Sequence, residues 1–300
     1  MGKPVSDTPE PTSANFLGLP SSLSDWDTAQ VAILPVPYDA TASYGAGARF
    51  GPRSILDASH EIELFDDELA NEPCRVGVHT RPFLEPHAGG PELMSKRVEA
   101  EVNSVLEIGR FPITLGGDHS LTVGAVRAAL HNHPELTLVQ IDAHADLRDD
   151  YQSTPYSHAC VARRAVEMGA KLVQIGIRSL SREEADWLGD HPEDATTVYA
   201  RELWHSLSAA NRAIDAIEGP VYLTLDVDAL DPSIMPATGT PEPGGLTWPQ
   251  ALSLLRRLGS RGDVVGADVV ELAPIPGMTA PNVLAAKLVY KLIGYRTTAP

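Results

Sequence analysis

The stretch VQIDAHAD, residues 139–146, places three potential metal ligands at alternate positions. Asp142, His144 and Asp146 are spaced i, i+2, i+4, and alternate side chains of an extended strand project from the same face. Two carboxylates and an imidazole at one point would repel each other and lose hydration unless a cation neutralised them. The stretch therefore predicts a metal site at the end of a strand.

Two further motifs carry the same ligand types. GGDHS, residues 116–120, contains His119, and DVDALDP, residues 226–232, contains Asp226 and Asp228. Oxygen-rich ligand sets with one imidazole suit manganese or a similar first-row ion, whereas thiolates would favour zinc or copper(I). The candidate ligands suffice for two divalent ions that share carboxylates, and they are His119, Asp142, His144, Asp146, Asp226 and Asp228.

Strands that alternate with helices must position these ligands. Strand-like runs lie at residues 30–36, 75–79, 112–115, 136–141, 172–177, 196–199, 221–227 and 264–272, and helical spacing recurs between them. This alternation favours right-handed crossovers and a parallel sheet covered on both faces. We therefore predict a three-layer α/β/α fold with an eight-stranded parallel sheet. In such sheets ligands bind beyond the carboxyl ends of the strands, where every candidate ligand falls.

Composition and charge limit the class of protein. With 43% hydrophobic residues in 300, the chain can build one large core, so we predict a single domain at 16–300 behind a Pro/Ser/Thr-rich, disordered tail at 1–15. The formal charge of -17 argues against a nucleic-acid or anionic-membrane partner. It suits a cationic small substrate, although acidic surfaces also serve solubility. The two cysteines stand in no metal or redox spacing and no run could span a bilayer, so a cytoplasmic location is predicted.

Taken together, the motifs resemble those of the ureohydrolase family of arginases and agmatinases. They are GGDHS, DAHAD, SHACVARR at 157–164, and DVDALDP followed by GTPEPGG at 239–245, in family order between about residues 31 and 294. The resemblance implies an arginase-like fold, two Mn²⁺ ions per subunit, and a homo-oligomer, either a trimer or a hexamer. It also implies that one ion is held by His119, Asp142, Asp146 and Asp226, and the other by His144, Asp142, Asp226 and Asp228.

Two nearby ions can lower the pKa of a shared water toward about 7. The resemblance implies that the hydroxide formed in this way attacks a guanidinium carbon. The intermediate would collapse to urea and an amine. By the resemblance, His158 shuttles a proton to that amine and Glu271 holds the guanidinium group. A carboxylate is a suitable planar acceptor for a guanidinium, and histidine titrates near neutral pH. Apart from the resemblance, a histidine at a helix start such as His158 is more often a cap or a surface residue. The predicted catalytic residues are His158, Glu271 and Asp146.

The loop at 147–156, LRDDYQSTPY, bears on the substrate. It lacks asparagine and contains Asp149 and Asp150, which would repel a carboxylate and attract an ammonium group, although Arg148 has the opposite charge. We therefore predict agmatine as the substrate, with putrescine and urea as products. The predicted substrate-binding residues are Glu271, His158, Asp149 and Tyr151.

Other activities remain open from the sequence. N(1)-aminopropylagmatine, arginine and guanidinobutyrate are alternative substrates, and an inactive metal-binding scaffold is an alternative of a different class. A scaffold would have no need of His158 or Glu271. A dinuclear phosphoesterase would require cationic groups to meet phosphate, but the loops around the site are acidic.

Overall fold

The computed structural model describes residues 15–297, so residues 1–14 of the predicted tail and residues 298–300 lie outside the described residues. The strands are β1 Val31–Pro35, β2 Val78–Thr80, β3 Phe111–Leu115, β4 Thr137–Ile141, β5 Lys171–Ile177, β6 Ala195–Tyr199, β7 Val221–Asp226 and β8 Val264–Val270. The helices are α1 Ser21–Ser24, α2 Gly51–Ser59, α3 Pro91–Leu106, α4 Thr122–Asn132, α5 Val161–Glu167, α6 Arg182–Asp190, α7 Ala200–Leu203, α8 Ser208–Asp215, α9 Trp248–Gly259 and α10 Ala280–Thr297.

All eight strands form one parallel sheet in the order β2-β1-β3-β8-β7-β4-β5-β6. Side chains of β1, β4 and β7 alternate between two apolar layers. Ile33, Val139 and Leu223 pack on the layer that contains α2, α8, α9 and α10. Leu34 and Leu138 pack on the opposite layer, which contains α3, α4 and α5. A parallel sheet needs this cover on both faces, and the predicted three-layer fold is confirmed.

Two predicted strands differ by more than one residue at an end from the observed ones. The second begins at Val78 rather than at residue 75, because Pro73–Val76 forms a 3-10 turn and Gly77 has a φ of 81°. The last strand ends at Val270, since Glu271 has a φ of 66° and leaves the extended conformation. The strand before the DAHAD motif ends at Ile141, ahead of all three ligands of that motif.

The C-terminal helix α10 is 18 residues long and mostly buried. Lys291 on this helix is only 4% exposed, and its Nζ lies 2.8 Å from carboxylate oxygens of both Asp66 and Glu68. A buried cation needs such partners to offset its lost hydration. Within residues 15–297 there is no helix of the length and apolarity required to cross a membrane.

Candidate active site

Four neighbouring strands, β3, β8, β7 and β4, end at the site. His119 follows β3, Glu271 follows β8, Asp226 is the last residue of β7, and Asp142 follows β4. Parallel neighbours end at the same edge of a sheet, so the residues that follow them meet there. The strand order therefore gathers motifs that lie far apart in the sequence.

The turn after β3 brings His119 into the site. A Cβ atom on Gly117 would lie 1.8 Å from the carbonyl oxygen of Tyr38, so only glycine fits this close approach. The next residue, Asp118, donates its N–H to the same carbonyl at 2.8 Å, and its side chain accepts the N–H of Ser120 at 3.2 Å. These contacts start the turn that carries His119.

Five of the six predicted ligands form two groups, His119–Asp142–Asp146 and Asp142–His144–Asp228, and in each group the ligand atoms lie within 4.8 Å of one another. His119 Nδ1 is 3.2 Å from Asp142 Oδ2 and 3.0 Å from Asp146 Oδ2. It is also 3.4 Å from Asp226 Oδ2. His144 Nδ1 is 3.0 Å from Asp228 Oδ2. The structure thus brings together all six predicted metal ligands, and Asp142 belongs to both groups.

The geometric reason given for the DAHAD motif was wrong. Because β4 ends at Ile141, its ligands lie in a loop and not on one face of a strand. Asp142 Oδ1 accepts the N–H of His144 at 2.7 Å, and Asp146 has a φ of 52°. This folded loop sends His144 to one ligand group and Asp146 to the other, whereas strand alternation would have kept them together.

The ionisation of the site shows how strongly it attracts positive charge. Burial and the neighbouring charge of Asp142 raise the pKa of Asp146 to about 7. Burial, followed by the charge of Asp228, raises the pKa of Asp226 well above its usual range. Although burial alone would lower it, the Asp228 carboxylate beside its ring raises the pKa of His144 to about 11. Divalent cations would supply this positive charge in place of protons.

The donor set fits a pair of such cations. His119 Nδ1 and Asp228 Oδ2 are buried without a hydrogen-bond partner among the described residues, and both face a ligand group. Nearly all buried polar atoms have a partner, so these two atoms point to a ligand. The set contains only carboxylate oxygens and imidazole nitrogens, since the free thiols of Cys74 and Cys160 belong to neither group. Manganese and similar first-row ions prefer such donors.

Adding Mn²⁺ to metal-free protein is expected to raise its melting temperature. An ion at 100 times its Kd stabilises the native state by about 2.7 kcal/mol if it does not bind the unfolded chain. Thermal unfolding followed by circular dichroism, with and without Mn²⁺, measures the shift. The Asp228→Asn variant should lose most of this rise in melting temperature, while Asp186→Asn, on the exposed face of α6, should keep it. Equal rises in both variants would contradict a metal centre at this position.

Glu271 is held in a strained conformation at the edge of the same site. Its φ of 66° is uncommon for a residue other than glycine. Two hydrogen bonds offset the free-energy cost of this backbone conformation. Its N–H donates to the carbonyl of Gly117 at 2.8 Å, and its Oε1 accepts the N–H of His119 at 2.7 Å. Burial raises the pKa of this carboxyl well above its usual range. The side chain lines the cavity over the ligand groups.

His158 lines the same cavity and is oriented by hydroxyl groups. Its Nδ1 is 3.3 Å from Thr41 Oγ1, and its Nε2 is 3.3 Å from Ser43 Oγ. Thr41 Oγ1 donates to Asp118 Oδ2 at 2.9 Å, so it accepts from His158 Nδ1–H and from the backbone N–H of His158. Burial lowers the pKa of His158. Burial thus favours the neutral imidazole, and Thr41 places its proton on Nδ1, so Nε2 is the atom that can accept a proton.

A cavity of about 270 Å³ opens above these residues. Its walls include Arg148 and Tyr151, and the Arg148 guanidinium stacks 5.1 Å from the Tyr151 ring centre. Of the predicted substrate-binding residues, the structure brings Glu271, His158 and Tyr151 to the cavity but not Asp149. The Asp149 carboxylate, whose side chain is 65% exposed, pairs with Arg164 at 2.8 Å.

The sequence interpretation missed Glu184, a buried carboxylate in the cavity wall. Its Oε1 accepts the N–H of Leu147 at 3.0 Å, and its Oε2 accepts the N–H of Ser181 at 2.6 Å. Ser181 and Glu184 form a capping box at the start of α6. The S-x-x-E spacing is the sequence signal that could have located this residue, though not its place in the cavity.

Comparisons with known proteins show which family the chain resembles in sequence and in fold. The model of the arginase family matches residues 29–294. The chain is 39% identical to the N(1)-aminopropylagmatine ureohydrolase of Synechocystis sp., over 91% of each protein. It is 32% identical to the agmatinase of Bacillus subtilis, over 85% of this chain and 87% of that one. Among solved structures, the agmatine ureohydrolase of Thermoplasma volcanium matches with a TM-score of 0.84 and 32% identity, over 92% of this chain and 93% of that one.

Proposed function

The chain belongs to the arginase family, and from that premise we propose that it hydrolyses the guanidinium group of agmatine to urea and putrescine. It is a hydrolase of a family that depends on a binuclear metal centre. One observation carries the proposal: Glu271, His158 and both ligand groups border a single cavity. A buried carboxylate for the guanidinium, an imidazole for proton transfer and a metal centre are what this hydrolysis requires.

Different residues are proposed to bind the metal ions, to bind the guanidinium group and to transfer the proton. His119, Asp142, Asp146, Asp226, His144 and Asp228 would hold two divalent ions, for which we propose Mn²⁺. When bound, such ions act as Lewis acids and lower the pKa of water toward about 7. Glu271 accepts N–H groups of the guanidinium and orients its carbon toward the ligand groups. His158 takes up a proton at Nε2 and delivers it to the leaving amine.

The distal end of the substrate is proposed to be an ammonium group and not a carboxylate. Asp149 and Asp150 are not proposed to attract the ammonium group, because Asp149 pairs with Arg164 and both acids are exposed. Glu184 is proposed for this role, since its buried carboxylate lines the cavity. A carboxylate offers about four lone-pair sites, and backbone N–H groups occupy two of those on Glu184. The remaining sites can accept hydrogen bonds from an ammonium group. Among the described residues that line the cavity, Arg148, stacked on Tyr151, is the one arginine or lysine and opposes this preference.

N(1)-aminopropylagmatine is the second candidate substrate. The relatives that carry this activity in their names are 36 to 39% identical to the chain, whereas the agmatinases compared are 32 to 34% identical. Both substrates combine a guanidinium with a distal amine. The second differs by an aminopropyl extension with a further cationic nitrogen, which the acidic cavity would also accept.

Urea release from four substrates tests the proposal: agmatine, N(1)-aminopropylagmatine, arginine and guanidinobutyrate. We expect kcat/KM for agmatine to exceed that for arginine and guanidinobutyrate by about 100-fold, which corresponds to about 2.7 kcal/mol. A tenfold preference for N(1)-aminopropylagmatine over agmatine would replace the first candidate by the second. A preference for arginine would mean that Arg148 reads the carboxylate, and Arg148→Gln should then abolish that preference. No urea from any of the four would contradict the proposed function.

A further inference from the structure

A row of polar side chains crosses the sheet just beneath the ligand groups, on the face that packs against α3, α4 and α5. The residues of this polar row, taken across β3, β8, β7, β4, β5 and β6, are Thr114, Asp268, Thr224, Gln140, Gln174 and Thr197. Each is paired in register with the next, and the first five are no more than 1% exposed. Polar groups between a sheet and its helices cost free energy unless they are hydrogen-bonded, so their presence requires an explanation.

One half of the polar row ends at His119. The Nε2 of His119 lies 2.8 Å from Thr224 Oγ1, and Thr224 Oγ1 donates to Asp268 Oδ1 at 2.5 Å. Thr122 donates to the other Asp268 oxygen at 2.9 Å. A hydroxyl has one proton, and that of Thr224 is directed at Asp268, so Thr224 must accept from His119. The proton of His119 is therefore on Nε2, which leaves the lone pair of Nδ1 directed at the ligand group.

The other half ends at Asp142. Gln140 Nε2 donates to Asp142 Oδ2 at 2.8 Å and to the carbonyl of His144 at 3.3 Å. Gln140 Oε1 accepts from Gln174 Nε2 at 2.8 Å. Gln174 Oε1 in turn accepts from Thr197 Oγ1 at 2.9 Å. Each amide thus has only one orientation that satisfies its partners, and the Gln140 amide holds the carboxylate shared by the two ligand groups.

We propose that the polar row positions His119 and Asp142 for metal binding, with Thr224 and Gln140 as the positioning residues that contact them. The inference rests on the proposed metal centre. It explains why five neighbouring strands, β8, β7, β4, β5 and β6, carry hydrogen-bonded polar side chains at one level of an otherwise apolar layer. Partners of this kind fix the tautomer and orientation of a ligand, and their loss costs about 10- to 100-fold in metal affinity.

The row contains its own matched control. Thr224 and Thr114 are both buried and both pair in register with Asp268, one from each side. Only Thr224 is hydrogen-bonded to a ligand. Replacement by valine removes the same buried hydroxyl at both positions, but that of Thr114 has no hydrogen-bond partner among the described residues, whereas that of Thr224 contacts His119 and Asp268. Thr224→Val is expected to weaken Mn²⁺ binding by about 10- to 100-fold, and Thr114→Val by less than about twofold.

Mn²⁺ affinity is measured by isothermal titration or by competition with a chelator, and the melting temperature of metal-free protein checks that each variant folds. Thr224→Ser keeps the hydroxyl and should restore the affinity, and Gln140→Leu should weaken it in the same way as Thr224→Val. Equal losses in Thr224→Val and Thr114→Val, or no loss in either, would overturn the role of the row while the metal centre stood. Failure of the unmodified protein to bind Mn²⁺ would instead overturn the centre itself.

Discussion

Replacement of Asp142 by asparagine is expected to lower kcat/KM by about a thousandfold or more, or about 4 kcal/mol of transition-state stabilisation. Asp142 is the residue that the two ligand groups share, and its side chain is fully buried. Asparagine keeps the shape but removes the negative charge and directs either a neutral oxygen or an NH₂ group at the cation. Both ions should therefore bind more weakly, whereas loss of Asp146 or His144 would affect one group directly.

Metal content after dialysis, measured by mass spectrometry, should fall below two ions per chain in the Asp142→Asn protein. The change in kcat/KM is measured by urea release at several Mn²⁺ concentrations. Asp186→Asn is the control, because its carboxylate lies on α6 with 66% of the side chain exposed. Two tightly held ions together with a normal kcat in Asp142→Asn would contradict the shared-ligand arrangement.

The metal ligands could be recognised from the sequence because each lies in a short motif, but the reason they meet could not. Their convergence depends on the strand order, in which β8 and β7 lie between β3 and β4. Hydrophobic alternation shows that a strand exists and which of its faces is buried, and it contains no information about which strands are neighbours. The family resemblance predicted the eight-stranded parallel sheet but not the order of its strands, so the predicted fold was confirmed although the local argument from the DAHAD alternation was wrong.

Contacts between distant residues limited the rest of the prediction. Thr41 and Asp118 are 77 residues apart, and His119 and Thr224 are 105 apart. A single threonine or glutamine in an apolar strand gives no signal of such a partner, so the polar row was not recognised. Asp149 shows the opposite error: its charge suggested substrate binding, but the fold places Arg164 within 2.8 Å of it. Local charge in a loop is a weak guide where the partner comes from a neighbouring helix.

Replacement of His158 by asparagine should lower kcat by about 100- to 10,000-fold, the range attributed to a positioned proton-transfer group. Metal affinity should not change, because His158 belongs to neither ligand group. The control is His131→Asn, since that histidine is exposed near the end of α4. Thr41→Val should give a smaller loss in kcat, because it removes the hydroxyl between His158 and Asp118 but leaves the imidazole in place.

The pH dependence tests whether His158 first accepts a proton. Burial lowers its pKa, so the imidazole is neutral at pH 7 and can take up a proton before passing it to the amine. Activity that depends on this neutral form is lost as the pH falls through the lowered pKa. With both proteins saturated with Mn²⁺, we compare the ratio of kcat in the unmodified protein to kcat in His158→Asn. This ratio should decrease as the pH is lowered below about 6.5. Protonation of the metal ligands affects both proteins and therefore largely cancels in the ratio. A ratio that rises toward acid pH would mean that His158 acts as a donor protonated in advance, and a ratio near one throughout would exclude it from proton transfer.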